Sequence, residues 1–432
     1  MSEATASGPD GVGDAAATRR AIEGVWRIES AKVVAALVRM VHDVGFAEDL
    51  AQDAIVAALA QWPESGIPAN PAAWLTTTAK RRAVDTYRRH ARRDRALQQL
   101  AHELAEETAA DPAAGVDHVE DDMLRLMFIC CHPSLTPEAQ ATLTLRLVAG
   151  LSAREIARAY LTSEPTVAQR ISRAKRTLAR SGAALEEVPA DERSARLATV
   201  LGIVYLMFNE GYTATEGTDW MRPALCEEAT RLARILTALA PDDPEAHALS
   251  ALLELQSSRL AARLDAAGRP VLLDDQDRSR WDGGRIRHGL DALARADRLV
   301  AIQGGARGPY HLQAAIAACH SRATPSSTDW ARIVELYAEL ARRTGSPVVE
   351  LNRAVAVGRA YGPDAGLALV EQLAEHPALA AYHLLPSVQG DLLERSGRTA
   401  DAAIAYLRAA NLATNAREAE LLRARAARAV EP

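Results

Sequence analysis

The chain has 432 residues, 48% of them hydrophobic but only 4% aromatic, and Phe occurs three times. That length exceeds what one core organises and points to two or three domains, with cores built on Ala and Leu. Few β-branched runs favour helix throughout and exclude a β-sandwich, a barrel and a parallel-sheet enzyme. The formal net charge is −6, and four cysteines without CxxC spacing exclude a disulfide framework.

Residues 1–18 are rich in Ala, Gly, Ser and Asp and lack an apolar core. They read as a disordered tail and not as a signal peptide. From 21 to 90 the chain predicts a helical bundle. Ile22, Trp26 and Ile28, then Val33, Leu37 and Val41, repeat at helical spacing. A second amphipathic segment covers 47–62, and Pro63, Gly66, Pro68 and Pro71 punctuate a loop. Asn70 is an N-cap and Pro71 a first helical residue for a third helix.

Charge is segregated along this half. Between Thr76 and Leu100 there are eight basic residues and two acids; between Ala101 and Asp122 there are eight acids and no Lys or Arg; from Met123 to Arg180 nine bases face three acids. Two basic modules thus flank an acidic, Ala-rich linker (101–121). Such placement suits an acidic polymer, since each neutralised phosphate releases counterions. The bland alternative is a pair of solvated, Arg-rich helix faces.

The stretch 151–180, LSAREIARAYLTSEPTVAQRISRAKRTLAR, is the most informative. Upstream, Thr136 caps a helix that Pro137 begins. Ser152 and Glu155 form a capping box, Ile156, Ala157 and Tyr160 make an inner face, and Glu164-Pro165 opens a second helix. Val167 and Ile171 point inward, leaving Gln169, Arg170, Arg173, Lys175 and Arg176 outward. A helix-turn-helix needs small inner residues for close crossing and donor-rich residues on the second helix. Arg can then donate twice to a guanine edge and Gln can pair with adenine. An ordinary helical hairpin with a basic face is the alternative.

The longest apolar run, 197–208, is twelve residues long and interrupted by Gly202. A membrane span needs ~18 or more, so this is a buried helix and the chain is expected to be soluble, reduced and cytoplasmic. Asn209-Glu210-Gly211-Tyr212 reads as its end, with Gly at C′. Beyond about 191 the chain is helical in pairs. Gly390, Ala402, Tyr406 and Ala409 fit the two helices of a tetratricopeptide unit, and Gly362 precedes Gly397 by 35 residues. The Trp and terminal Pro of such units are mostly missing, which predicts degenerate repeats stacked into a superhelix.

Other constellations carry less. Adjacent Cys130 and Cys131 project about 100° apart on a helix, and with His132 they lack a second ligand pair for zinc; Cys319-His320 reads the same way. Asp274, Asp275, Asp277, Arg278 and Arg280 around Trp281 form a dense charged run, readable as an ion-paired loop or an acid–base cluster. A contact patch onto the first half or a partner is preferred, through Asp277, Arg278 and Trp281. No GxxxxGK[ST], GxSxG or HExxH occurs, so no catalytic residue, cofactor or metal is expected.

Two motif sets in order now carry a resemblance. AEDLAQDAIVAALAQWP (47–63) with NPAAWLTTTAKRRAVDTYRR (70–89) resembles region two of a bacterial extracytoplasmic-function sigma factor of RNA polymerase. LTPEAQATLTLRLVAGLSAREIARAYLTSEPTVAQRISRAKRTL (135–178) resembles region four. The remainder resembles the long tetratricopeptide-like extension of one sigma subfamily through YLMFNEGY (205–212), QDRSRWD (276–282), GPYHLQAAIAACH (308–320), TDW (328–330) and LNRAVAV (351–357). Two positions depart: Ala79-Lys80-Arg81 stands where the family commonly has an Asn, and Pro165 where a Gly usually precedes the Thr.

The resemblance implies an all-α chain: region two over 19–100, the acidic linker, a region-four helix-turn-helix over 122–182, and a helical-repeat domain over 190–432. It implies that Asp49, Gln52 and Asp53 dock on the β′ clamp of core polymerase and that region four meets the β flap. Trp74, Lys80, Arg81, Arg82, Arg88 and Arg89, with Asp85 among them, fall in the stretch that opens the −10 element, where aromatic platforms and cationic side chains hold a freed strand. Thr166, Gln169, Arg170, Arg173 and Lys175 fall on the −35 reading helix. The expected function is promoter-specific transcription initiation without enzymatic chemistry of its own, with the extension regulating in cis and standing in for an anti-sigma factor. A DNA-binding regulator or scaffold that never touches polymerase is the alternative; the acidic face of 47–62 argues against it, since a simple repressor needs no such surface.

Overall fold

The computed structural model describes residues 10–90, 119–160, 162–183, 188–189, 192–213, 220–322 and 327–430. The expected acidic linker falls almost wholly outside them. The chain divides into two compact units, Met1–Ile203 and Val204–Pro432. Among the described residues the architecture is helical, with one isolated bridge between Leu264 and Pro270.

In the first unit, α1 (Asp10–Val41), α2 (Val44–Ser65), α3 (Pro71–His90) and α4 (Val119–Cys130) pack around Ile22, Val33, Leu37, Leu50, Trp62 and Leu75. Helix α1 already runs from Asp10, inside the stretch expected to be a tail; Ala15, Ala16 and Ala17 are the strongest helix formers available. The α1–α2 turn is two residues long because His42 adopts φ 55°, a left-handed conformation uncommon outside Gly. Asp43 Oδ1 then accepts from Phe46 N at 2.8 Å and caps α2, and Asn70 Oδ1 accepts from Ala73 N at 3.0 Å to cap α3. Cys130 and Cys131 are buried, and burial pushes the Cys131 thiol up to about 12, so both pack as small apolar groups.

The same unit continues with α5 (Pro137–Leu143), a π turn (Thr144–Val148), α6 (Ala153–Ala159) and α7 (Glu164–Ser181). α8 (Arg193–Tyr212) follows, its residues from Val204 onward belonging to the second unit, and buries Leu197, Val200, Leu201, Val204, Met207 and Phe208. No helix among the described residues is long and apolar enough to cross a membrane. Gly211 does not end this helix as a C′ residue. It stays inside α8, where a Cβ would lie 2.8 Å from Cys226 N, so its role is the close approach of the next helix.

The second unit is a succession of hairpins: α9 (Pro223–Leu239) on α10 (Pro244–Ser257), α10 on α11 (Gly283–Gln303), then α12 (Pro309–Arg322), α13 (Trp330–Thr344), α14 (Pro347–Tyr361), α15 (Pro363–Leu373), α16 (Leu384–Arg395), α17 (Thr399–Leu412) and α18 (Ala416–Ala429). Gly390 of α16 faces the Tyr406 ring of α17, and Gly362 and Gly397, both at positive φ, turn the chain between α14 and α15 and between α16 and α17. The geometry is compatible with tetratricopeptide-like pairs.

The charged run 274–282 forms a loop of short 3-10 turns between α10 and α11. Its ionic groups are largely satisfied within the unit: Arg359 donates to both oxygens of Asp274 at 2.6 and 3.0 Å, and Arg278 donates to His320 O at 2.7 Å. No group of three or more His, Cys, Asp or Glu able to hold a metal occurs among the described residues.

Candidate nucleic-acid interface

The helix-turn-helix is built from caps. Ser152 N donates to Glu155 Oε2 at 2.8 Å and Glu155 N donates back to Ser152 Oγ at 3.2 Å, the reciprocal box the sequence predicts. Ser163 Oγ accepts from Thr166 N at 3.3 Å, Pro165 lies in the first turn, and Gly182 ends α7 at φ 71°. Val167, Ile171, Ala174 and Leu178 are buried at i, i+4, i+7 and i+11, which fixes the rotation of α7.

That rotation sorts the candidate readers. Thr166, Gln169, Arg173 and Arg176 are exposed, and Arg170 is half-buried. Lys175 is not outward. Lying four residues after Ile171, it flanks the buried stripe, its side chain is 19% exposed, and its Nζ sits 2.5 Å from Glu48 Oε2 on α2. Arg146, carried by the π turn, donates to Glu48 Oε1 at 2.6 Å and to Leu151 O at 3.0 Å. The Glu48 side chain is 6% exposed. Burial raises its pKa, but Arg146 and Lys175 together outweigh burial and hold it below the ordinary carboxylate value. Sequence reasoning missed Glu48, although an acid beside Ala47, Leu50 and Ala51 on an apolar stripe was a readable signal.

On α2, Asp49 and Asp53 are exposed and Gln52 is half-buried, donating to Glu48 Oε1 at 2.8 Å. Asp53 pairs with Arg82 of α3 at 3.2 Å. Val56, 61% exposed, continues the Asp49–Asp53 stripe, and Leu59 flanks it. A face of exposed acids and bare aliphatics, of which only Asp53 has an ion pair among the described residues, is the composition of a docking surface. On α3, Trp74 stands edge-to-face on buried Trp62 with centroids 5.2 Å apart; Lys80 and Arg82 are half-buried and Arg81 is exposed. The side chains of Arg88 and Arg89 lie outside the described residues.

The residues singled out around 274–282 face inward more than outward. Trp281 is 8% exposed, with the Arg278 guanidinium 4.6 Å from its ring centroid, while Asp277 is exposed and caps the turn by accepting from Ser279 N at 2.9 Å.

Comparison with known proteins fits this geometry. The family model for Sigma-70 region 2 matches residues 27–93, that for Sigma-70 region 4 matches 125–178, and a family of unknown function (DUF6596) matches 196–297. An uncharacterized protein of Rhizobium meliloti (strain 1021) is 45% identical over 397 residues, 91% of this chain and 92% of its own length. A probable ECF RNA polymerase sigma factor, SigI, of Mycobacterium tuberculosis is 29% identical over 175 residues, 40% of this chain and 59% of that protein. No solved structure matches.

The chain therefore carries the region-2 and region-4 domains of the sigma-70 family of RNA polymerase sigma factors, followed by a long helical C-terminal extension. Its two sigma domains imply engagement of RNA polymerase and promoter DNA.

Proposed function

We propose that the chain binds core RNA polymerase and selects promoters by reading a −35 element with α7 and opening a −10 element with α3. The observation that carries this reading is the outward face of α7, where Thr166, Gln169, Arg173 and Arg176 stand exposed on a capped helix-turn-helix that follows a region-two bundle. Arg170 flanks that set. Lys175 is left out, because its ammonium is engaged by Glu48. The α2 face of Asp49, Asp53, Val56 and Leu59 supports docking on a basic surface such as the β′ clamp, with region four on the β flap. Trp74, Lys80, Arg81 and Arg82, followed by Arg88 and Arg89, supply a strand-holding surface at the −10 element. The bond-making chemistry stays with the polymerase, and the C-terminal repeats regulate initiation in cis, taking the place of a separate anti-sigma factor.

Reconstitution tests this. Purified chain with core polymerase is expected to give defined start sites on genomic fragments, and an Asp49→Ala/Asp53→Ala double variant is expected to lose co-purification with core. A chain that binds DNA without conferring start-site selection would defeat the reading in favour of a plain DNA-binding regulator.

A further inference from the structure

The second unit holds a cavity of about 530 Å³, lined by residues of α8, α10, α12, α13 and α14. Helical cores close-pack, and this unit does so elsewhere: Cβ atoms at Gly358 and Gly390 would strike Leu392 and Tyr406 at 2.3 and 2.6 Å. A void of this size lined by amides and a guanidinium is therefore not a packing remnant. It matches the volume of small-molecule sites, about 300–1,000 Å³. Three of the sequence pieces that set the extension apart supply its wall: YLMFNEGY gives Tyr205, Phe208, Asn209 and Tyr212; GPYHLQAAIAACH gives Gln313, Ile316 and His320; LNRAVAV gives Asn352.

The chemistry of the wall selects a ligand class. No carboxylate lines the cavity, whereas Arg259 does. Arg259 is held by donating to Tyr212 Oη at 2.5 Å and to Gln256 Oε1, and its guanidinium lies 5.7 Å from the Trp281 ring centroid. Arg263 stacks on the far side of this cluster, 3.4 Å from the Tyr212 centroid and 4.4 Å from that of Trp220. The local field is positive. Burial first, then Arg259 and Arg278 against an opposing Asp274, bring the His320 pKa down to about 4, so it stays neutral at pH 7. Asn352 makes no side-chain hydrogen bond among the described residues, which leaves an amide at the rim for a ligand oxygen. Phe208, Leu255 and Ile316 add apolar surface to the lining, with Phe208 stacked on Tyr212 at 5.5 Å.

We propose that this cavity binds a small organic anion, a carboxylate or phosphate ester on a flat apolar body, its charge toward Arg259 and its body against Phe208 and Ile316. The extension is then a small-molecule receptor, a claim that needs neither polymerase nor DNA to be true.

The test uses the purified full-length chain, with isothermal titration and thermal shift against benzoate, phenyl phosphate, neutral benzamide and cationic benzamidine. At least one anion is expected to bind and raise Tm, with benzamide at least tenfold weaker and benzamidine without effect. Benzoate against phenyl phosphate tells carboxylate from phosphate. Ala317→Phe, which fills the cavity, and Asn352→Trp, which blocks its rim from an exposed position, are each expected to weaken binding at least tenfold. Asn352→Trp keeps the test usable if the filled variant does not fold. Failure of both anions, equal binding of benzamide, or undiminished binding to folded Asn352→Trp would overturn the proposal, and none of these results bears on start-site selection.

Discussion

Arginine is used in opposite ways on α7 and in the second unit. On α7, Arg173 and Arg176 stand in water; among the described residues Arg176 reaches only its own helix, donating to Ser172 O at 3.4 Å. In the second unit several arginines are tied down. Arg425 donates to Asp391 at 2.7 Å and Glu394 at 2.8 Å while lying 4.4 Å from the Tyr406 centroid. Arg285 and Arg234 both pair with Glu254, which is 2% exposed. A partnered, half-buried arginine holds architecture, because removing it strands its acids. An exposed arginine without an acid contributes little to folding and is available to phosphate and base edges.

The sharpest break of this contrast is Arg425→Ala. It leaves Glu394 with the Tyr406 hydroxyl, which donates to it at 2.6 Å, while Asp391 keeps Arg395 at 2.7 Å. The expected loss is about 2–3 kcal/mol in the second unit, the cost of losing charge-assisted hydrogen bonds to two partly exposed acids. Hydrogen exchange resolved by segment checks it, since faster exchange should be confined to α16–α18; a loss spread over the chain would count against the assignment.

Next comes Glu48→Ala in the first unit, expected to cost about 2 kcal/mol by leaving Arg146 and Lys175 without their shared acid. The pH dependence has a definite sign. The Glu48 carboxyl has a lower pKa folded than unfolded, so its contribution is present above the ordinary glutamate value and is lost as pH falls through the folded one. Urea titrations of the wild type between pH 7 and pH 3 should show that acid limb, and Glu48→Gln should flatten it.

Much of this was legible from the chain and some was not, for physical reasons. Caps are local, so Asn70, Thr136, Ser152 and Glu155 were readable from three- and four-residue spacings. Period fixed the buried stripe of α7 as well. Lys175 was misassigned because a residue beside that stripe can go either way, and its choice depends on Glu48, 127 positions earlier. Gly211 was misread for a related reason: a glycine near a helix end looks like a cap, and only the arrival of Cys226 shows that it is a contact. The cavity was invisible, since its wall gathers residues from 205 to 352 that no spacing rule connects.

Gly390→Ala sharpens the contrast at a smaller scale. The new Cβ would lie 2.6 Å from Tyr406 Cε1, and that ring is fully buried and anchored through its hydroxyl, so it cannot swing away. Overpacking of this kind costs about 1–2 kcal/mol. Thermal melts of the variant should show the second unit weakened and DNA binding intact.

Arg173→Ala should have the smallest effect on the fold and a large one on recognition. Arg173 is exposed on α7, with no acid paired to it among the described residues, so stability should stay within about 0.5 kcal/mol of wild type. Promoter affinity should fall, and the manner of the fall identifies the contact. A base contact gives a loss of about 1–3 kcal/mol that disappears when one base pair of the −35 element is changed. A phosphate contact weakens all sequences alike and reduces the slope of log affinity against log salt by about one. An unchanged affinity with either signature absent would mean that the exposed face of α7 is not the reading face, and the division drawn here between architectural and recognising arginines would have to be moved to another helix.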